Sequence, residues 1–177
     1  MTTHRVAFGL GANLGDAVAT LRAAVDALRE EPQLTVVRAS SMYRTAPVGG
    51  PAQPDFSNVV VVADSSADPL QLLEIAHEIE DRFGRRRDIR WGPRSLDIDL
   101  LAVGDAVSAD PDLELPHPRA HLRAFVLVPW AEVDPDFAIP GHGRVRELRD
   151  ALPMADRGGV AVLPGGPAWC SPPGIPA

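Results

Sequence analysis

Four consecutive valines, Val59-Val60-Val61-Val62, constrain this chain more than any other feature. β-Branched side chains fit a pleated surface, so the run reads as a strand. Successive strand side chains point to opposite faces, so an unbroken apolar run needs cover on both. That places the strand, Asp55 to Asp64, in mid-sheet.

The other elements must be arranged around it. Arg5 to Leu10 reads as a short apolar strand, and Gly11-Ala12-Asn13-Leu14-Gly15-Asp16 as a tight turn. A helix follows, capped by Asp16, with Val18, Leu21, Val25 and Leu28 as its apolar stripe and Pro32 as its stop. A phosphate cradled by the glycine loop is the weaker reading beside plain turn chemistry. Leu34 to Tyr43 alternates as a strand with Val36, Ala39 and Met42 inward. Arg44 to Pro54 is too rich in glycine and proline for regular structure, so it is a long surface loop, serving binding or simply disordered. Asn58, ahead of the valines, either ties that loop down or reads a polar heterocycle. Asp68 as N-cap, Pro69 in the first turn and Gln71 three residues after the cap start a second helix, with Leu72, Ala76, Ile79 and Phe83 inward and Gly84 as its stop. Glu80, near its end, holds a nucleotide hydroxyl or pairs with an arginine.

From Arg90 the chain reads Arg-Trp-Gly-Pro-Arg-Ser-Leu-Asp-Ile-Asp-Leu-Leu. In a strand, Leu96, Ile98 and Leu100 enter a core while Asp97 and Asp99 project together from the other face, their Cα atoms about 6.6 Å apart. Like charges so placed raise each other's cost of ionisation unless a cation sits between them. Mg²⁺, commonly held by one or two carboxylates plus substrate phosphates, suits the pair. Arg85, Arg86, Arg87, Arg90 and Arg94 supply forks for phosphate oxygens, and Trp91 a flat face for a ring. Gly104-Asp105 then turns into an edge strand around Val107. In Pro116-His117-Pro118-Arg119-Ala120-His121 the prolines prevent a helix that would align the histidines on a metal, so His117 and His121 are read as phosphate-facing groups. Arg123 to Val133 and Val145 to Leu152 read as short helices.

The order β-α-β-β-α-β predicts an α+β, ferredoxin-like sandwich with an antiparallel sheet, an added edge strand and extra C-terminal helices. Residues 1–155 form a single domain, and 156–177 a Gly/Pro-rich tail, flexible or loosely docked. A net charge of −7 argues against nucleic-acid partners. The single cysteine and the lack of a leader or apolar span point to a cytoplasmic chain with no membrane contact.

The Arg90–Leu101 stretch resembles the signature of the 6-hydroxymethyl-7,8-dihydropterin pyrophosphokinases. Gly11 to Asp16, Tyr43-Arg44-Thr45, Phe56-Ser57-Asn58, Glu80 with Gly84-Arg85, Pro116 to Arg119, and Arg123-Ala124-Phe125 match further family motifs in order. Phe56 stands where a tyrosine is frequent and Ala46 where proline is common. The resemblance implies the ferredoxin-like fold and transfer of pyrophosphate from ATP to the pterin hydroxymethyl oxygen, leaving AMP. It implies two Mg²⁺ ions on Asp97 and Asp99, and Arg85 and Arg94 on the transferring group. Arg87, His117 and Arg123 become phosphate contacts, with Glu80 and Ile98 on the nucleotide side. The pterin falls to Thr45, Val48 and Asn58, to Phe125 and Phe56 as ring faces, to Trp91 as a cover, and to Asp97 at its reactive end. The chain is expected to act as a monomer. A nucleic-acid module would need a basic surface with exposed sheet aromatics, and a nucleotide hydrolase would leave Asn58, Phe56 and Phe125 without a role.

Overall fold

The computed structural model describes residues 2–84 and 93–164. The elements run β1 (His4–Ala12), α1 (Ala17–Glu30), β2 (Thr35–Ala39), β3 (Tyr43–Thr45), β4 (Phe56–Ser65), α2 (Pro69–Arg82), β5 (Asp97–Val103), β6 (Ser108–Asp110), β7 (Leu113–Leu115), α3 (Ala124–Val133), β8 (Ala138–Ile139), β9 (Gly143–Arg144), α4 (Val145–Ala151), α5 (Met154–Gly158) and β10 (Ala161–Val162). The main sheet is antiparallel in order β10-β3-β4-β1-β5, with β2 also on β4. This is the ferredoxin-like arrangement read from the element order.

Both faces of β4 are covered, as its valines require. Val59 and Val61 pack with Leu21, Leu28, Leu72 and Ile79 of α1 and α2. Val60 and Val62 pack with Val126, Leu127 and Trp130 of α3. The helix starts are local chemistry: Asp16 accepts from the Ala19 amide at 3.0 Å, and Asp68 and Gln71 form a reciprocal capping box. Gly84, at φ +69°, turns the chain out of α2, a conformation that an L side chain resists.

The structure departs from the sequence reading in several places, and β1 runs on through Gly11 and Ala12, read as turn. Leu34 to Tyr43 is not one strand: β2 ends at Ala39 and β3 runs from Tyr43 into Arg44 and Thr45 of the stretch read as loop, because Ser40, wholly buried, donates its amide to Val60 O and accepts the Val60 amide on its Oγ rather than on its carbonyl. Beyond Gly104, β6 pairs only with β7 and forms a separate ribbon; the strand added at the sheet edge is β10, on β3. The stretch from residue 156 thus contains the end of α5 and an edge strand. Among the described residues no helix is long and apolar enough to cross a membrane.

Candidate active site

A cavity of about 800 Å³ opens where β1, β3, β4 and β5 meet the start of α3. Its floor is β1, between β4 and β5, which places Gly9 and Gly11 there. Gly11 lies in register with Asn58 on one side and Asp97 on the other, and Gly9 with Val60 and Asp99. A Cβ on Gly11 would come 3.1 Å from Asn58 Oδ1, and one on Gly9 3.3 Å from the Leu101 side chain. Neighbouring side chains thus close in on both glycines, Leu101 on Gly9 and Asn58 on Gly11, and the cavity floor there is a shallow trough with an amide along one bank and two carboxylates along the other. Asn58 and Asp97, two strands apart, are separated by about 10 Å at ordinary strand spacing.

On the amide bank, Asn58 is 7 % exposed and donates from Nδ2 to Thr45 Oγ1 at 2.7 Å. The structural tie is present, through Thr45, and the amide oxygen lies beside Gly11. Phe56 and Phe125 line the cavity, as does Val48, which stands 66 % exposed on the loop.

On the acidic bank, Leu96, Ile98 and Leu100 are in the core below while Asp97 and Asp99 face the cavity. Glu80 does not reach the cavity. Fully buried on α2, it accepts the Ile98 amide at 2.7 Å and so fixes the backbone between the two acids. The Ile98 side chain, likewise, points away from the cavity. Among the described residues no three His, Cys, Asp or Glu groups gather as a metal cage. A carboxylate pair that leaves remaining ligands to phosphate and water fits Mg²⁺.

Arg94, Arg119 and Arg123 line the same cavity. Arg94 Nη1 is buried without a hydrogen-bond partner among the described residues, a donor that an anion would satisfy. The Arg123 guanidinium lies 5.3 Å over the Phe125 ring. Burial lowers the Arg123 pKa, with Asp99 and Asp97 opposing the shift, and the group remains charged. His117 is held down at about 4, first by burial and then by Arg123. Its Nδ1 accepts the Arg119 amide at 3.1 Å, so the neutral ring carries its proton on Nε2, 3.9 Å from Asp99 Oδ2. That contact is a neutral donor facing a carboxylate, not an ion pair. His121 stacks on His142, centroids 3.7 Å apart.

The glycine loop serves as a fastener. Asn13, 4 % exposed, donates from Nδ2 to Gln53 Oε1 and Pro54 O, and its Oδ1 accepts the Arg94 amide at 2.8 Å. One amide thereby joins the proline-rich loop to the arginine beside the acids. Arg85, Arg87 and Trp91 lie outside the described residues. Sequence reasoning did not single out Gly9, read Gly11 as turn rather than strand, named Arg119 within a motif without a role of its own, and gave no site role to Ala155, Asp156, Gly159 and Val160. The signal for the glycines was available: two in one strand mark a close approach of ligand or backbone.

A family model described as 7,8-dihydro-6-hydroxymethylpterin-pyrophosphokinase matches residues 7–135. A 2-amino-4-hydroxy-6-hydroxymethyldihydropteridine pyrophosphokinase of Methylorubrum extorquens is 44 % identical over 88 % of this chain and 96 % of its own. One of Pseudomonas aeruginosa is 40 % identical over 92 % and 98 %. Among solved structures, the wild-type HPPK-DHPS of Plasmodium falciparum superposes with a TM-score of 0.64 over 84 % of this chain at 15 % identity, a likeness of fold. The match spans 44 % of that longer protein.

Proposed function

Since this chain belongs to the 7,8-dihydro-6-hydroxymethylpterin-pyrophosphokinase family, we propose a division of labour along the trough for the pyrophosphoryl transfer that it carries out in folate biosynthesis. The observation that supports the proposal is the row Asn58–Gly11–Asp97: a buried amide and an acid pair flank a strand with no side chain at that point. A flat heterocycle lies on the Asn58 bank, and its substituent reaches the acids.

ATP is the donor and 6-hydroxymethyl-7,8-dihydropterin the acceptor. Asn58, Thr45 and the backbone near Val48 bond the polar edge of the pterin, while Phe125 and Phe56 hold its faces. Asp97 and Asp99 are the residues that would hold Mg²⁺, two ions in this proposal, and when bound the metal neutralises phosphate charge and orients the attacking hydroxyl. Arg94, Arg119 and Arg123 bind the polyphosphate, and His117 supports Asp99 or a phosphate oxygen as a neutral donor. The hydroxymethyl oxygen forms its bond to the β-phosphorus as the bond from that phosphorus to the α,β-bridging oxygen breaks; AMP leaves with the bridging oxygen, and the hydroxyl proton is released to solvent. The work of the protein is positioning and electrostatics. Arg85, Arg87 and Trp91 join this scheme through the resemblance alone. Glu80 and Ile98 act behind β5, and we infer a cytoplasmic monomer.

The test is AMP release from ATP and Mg²⁺, with and without the pterin, in the wild type and in Asp97→Ala. Release is expected only with the pterin, stopped by chelation, restored by Mg²⁺, and reduced by about a thousandfold or more in the variant. ADP formation, or turnover without the pterin, would sink the assignment.

A further inference from the structure

We propose that the C-terminal segment from α5 through β10 is the side wall of the pterin half of the cavity and sets affinity for the heterocycle. The inference rests on the reading of the site just given. The family match ends at residue 135, yet Ala155, Asp156, Gly159 and Val160 line the same cavity as Thr45, Asn58 and Phe125.

This wall is fastened in place. Ala161 and Val162 pair with Arg44 and Tyr43, and the Leu163 amide donates to Met42 O at 2.8 Å. The strand so gripped, β3, ends in Thr45, the partner of Asn58. The segment therefore holds the amide bank of the trough from outside while contributing surface to it.

Chemistry decides which substrate the wall meets. Ala155, Gly159 and Val160 offer a small, largely aliphatic surface, and Asp156 adds a negative charge. A carboxylate repels a polyphosphate but accepts hydrogen bonds from the N–H groups of an uncharged ring. The cations of the cavity, Arg94, Arg119 and Arg123, are the groups that suit phosphate. The segment thus belongs with the pterin.

Two variants of the full chain test this. Gly159 has φ −75° and ψ −5°, and a Cβ there meets nothing closer than 3.5 Å, so its backbone accepts a side chain. Gly159→Leu adds volume to the wall, and Asp156→Asn removes its charge at constant shape. Each is titrated by calorimetry with the pterin and, separately, with α,β-methylene-ATP, after melting curves establish folding. Gly159→Leu is expected to weaken the pterin by about tenfold, as overpacking a formed pocket does. Asp156→Asn is expected to weaken it by about threefold, with the nucleotide analogue within about twofold in both variants. Unchanged pterin affinity in both, or equal weakening of the two ligands, would overturn the inference and leave the functional reading standing. A wild-type chain that binds no pterin would overturn both. Should Gly159→Leu fail to fold, Asp156→Asn alone decides.

Discussion

Gly11 shows how much a missing side chain can matter. A methyl group there would sit 3.1 Å from Asn58 Oδ1, closer than ordinary packing allows, and the amide must give way. Gly11→Ala is expected to raise the KM for the pterin by about tenfold, or about 1.4 kcal/mol, with little change in nucleotide affinity. Steady-state kinetics with each substrate varied in turn would check it, and equal rises in both constants would count against the trough. Trp130 poses the opposite case. It is fully buried, 5.0 Å from Phe137 between ring centroids, and its Nε1 has no hydrogen-bond partner among the described residues. Trp130→Phe leaves a small void but removes an unmet donor, which itself costs about 1–3 kcal/mol to bury, so urea unfolding should show a net change within about 1 kcal/mol. The acid pair was legible in the sequence because alternation in a strand is a local rule. The glycines were not, because their meaning lies in what stands on the neighbouring strands.

Between α2 and β5 a single carboxylate joins a structural element to a chemical one. Glu80 accepts the Ile98 amide, and Ile98 lies between Asp97 and Asp99. Glu80→Ala is expected to cost about 1–3 kcal/mol in stability, since it strands a buried N–H, and to lower kcat more than it raises either KM. Glu80→Gln retains an oxygen acceptor and should restore most of both. Loss of stability with kcat intact would show that the bond only holds the helix to the sheet. The two helix starts and the central strand were readable because caps and apolar runs act within a few residues. The break at Ser40 and the pairing of β10 with β3 were not, since each depends on a partner far along the chain: Val60 for the first, Tyr43 and Arg44 for the second. A two-residue strand has no periodicity to detect.

For the molecule as a whole, the sheet divides the apolar interior into two clusters, one under α1 and α2 and the other under α3. Leu28 and Leu127, both fully buried, occupy opposite sides. Leu28→Ala and Leu127→Ala are each expected to cost about 2–5 kcal/mol, and their costs to add in the double variant because the sites share no partner. Only Leu127→Ala should also weaken pterin binding, because α3 carries Phe125 near its start. Denaturant unfolding paired with pterin titration separates the outcomes, and matching losses of affinity in both single variants would contradict the division. Substitutions accumulating beneath the helix pair are filtered chiefly by folding, whereas those beneath α3 are filtered by folding and by chemistry together. An engineer seeking a hardier enzyme therefore has the wider workshop under α1 and α2, provided Glu80 and the β5 residues it holds are left alone, while lineages that diverge in substrate preference have to do so on the other side of the same sheet.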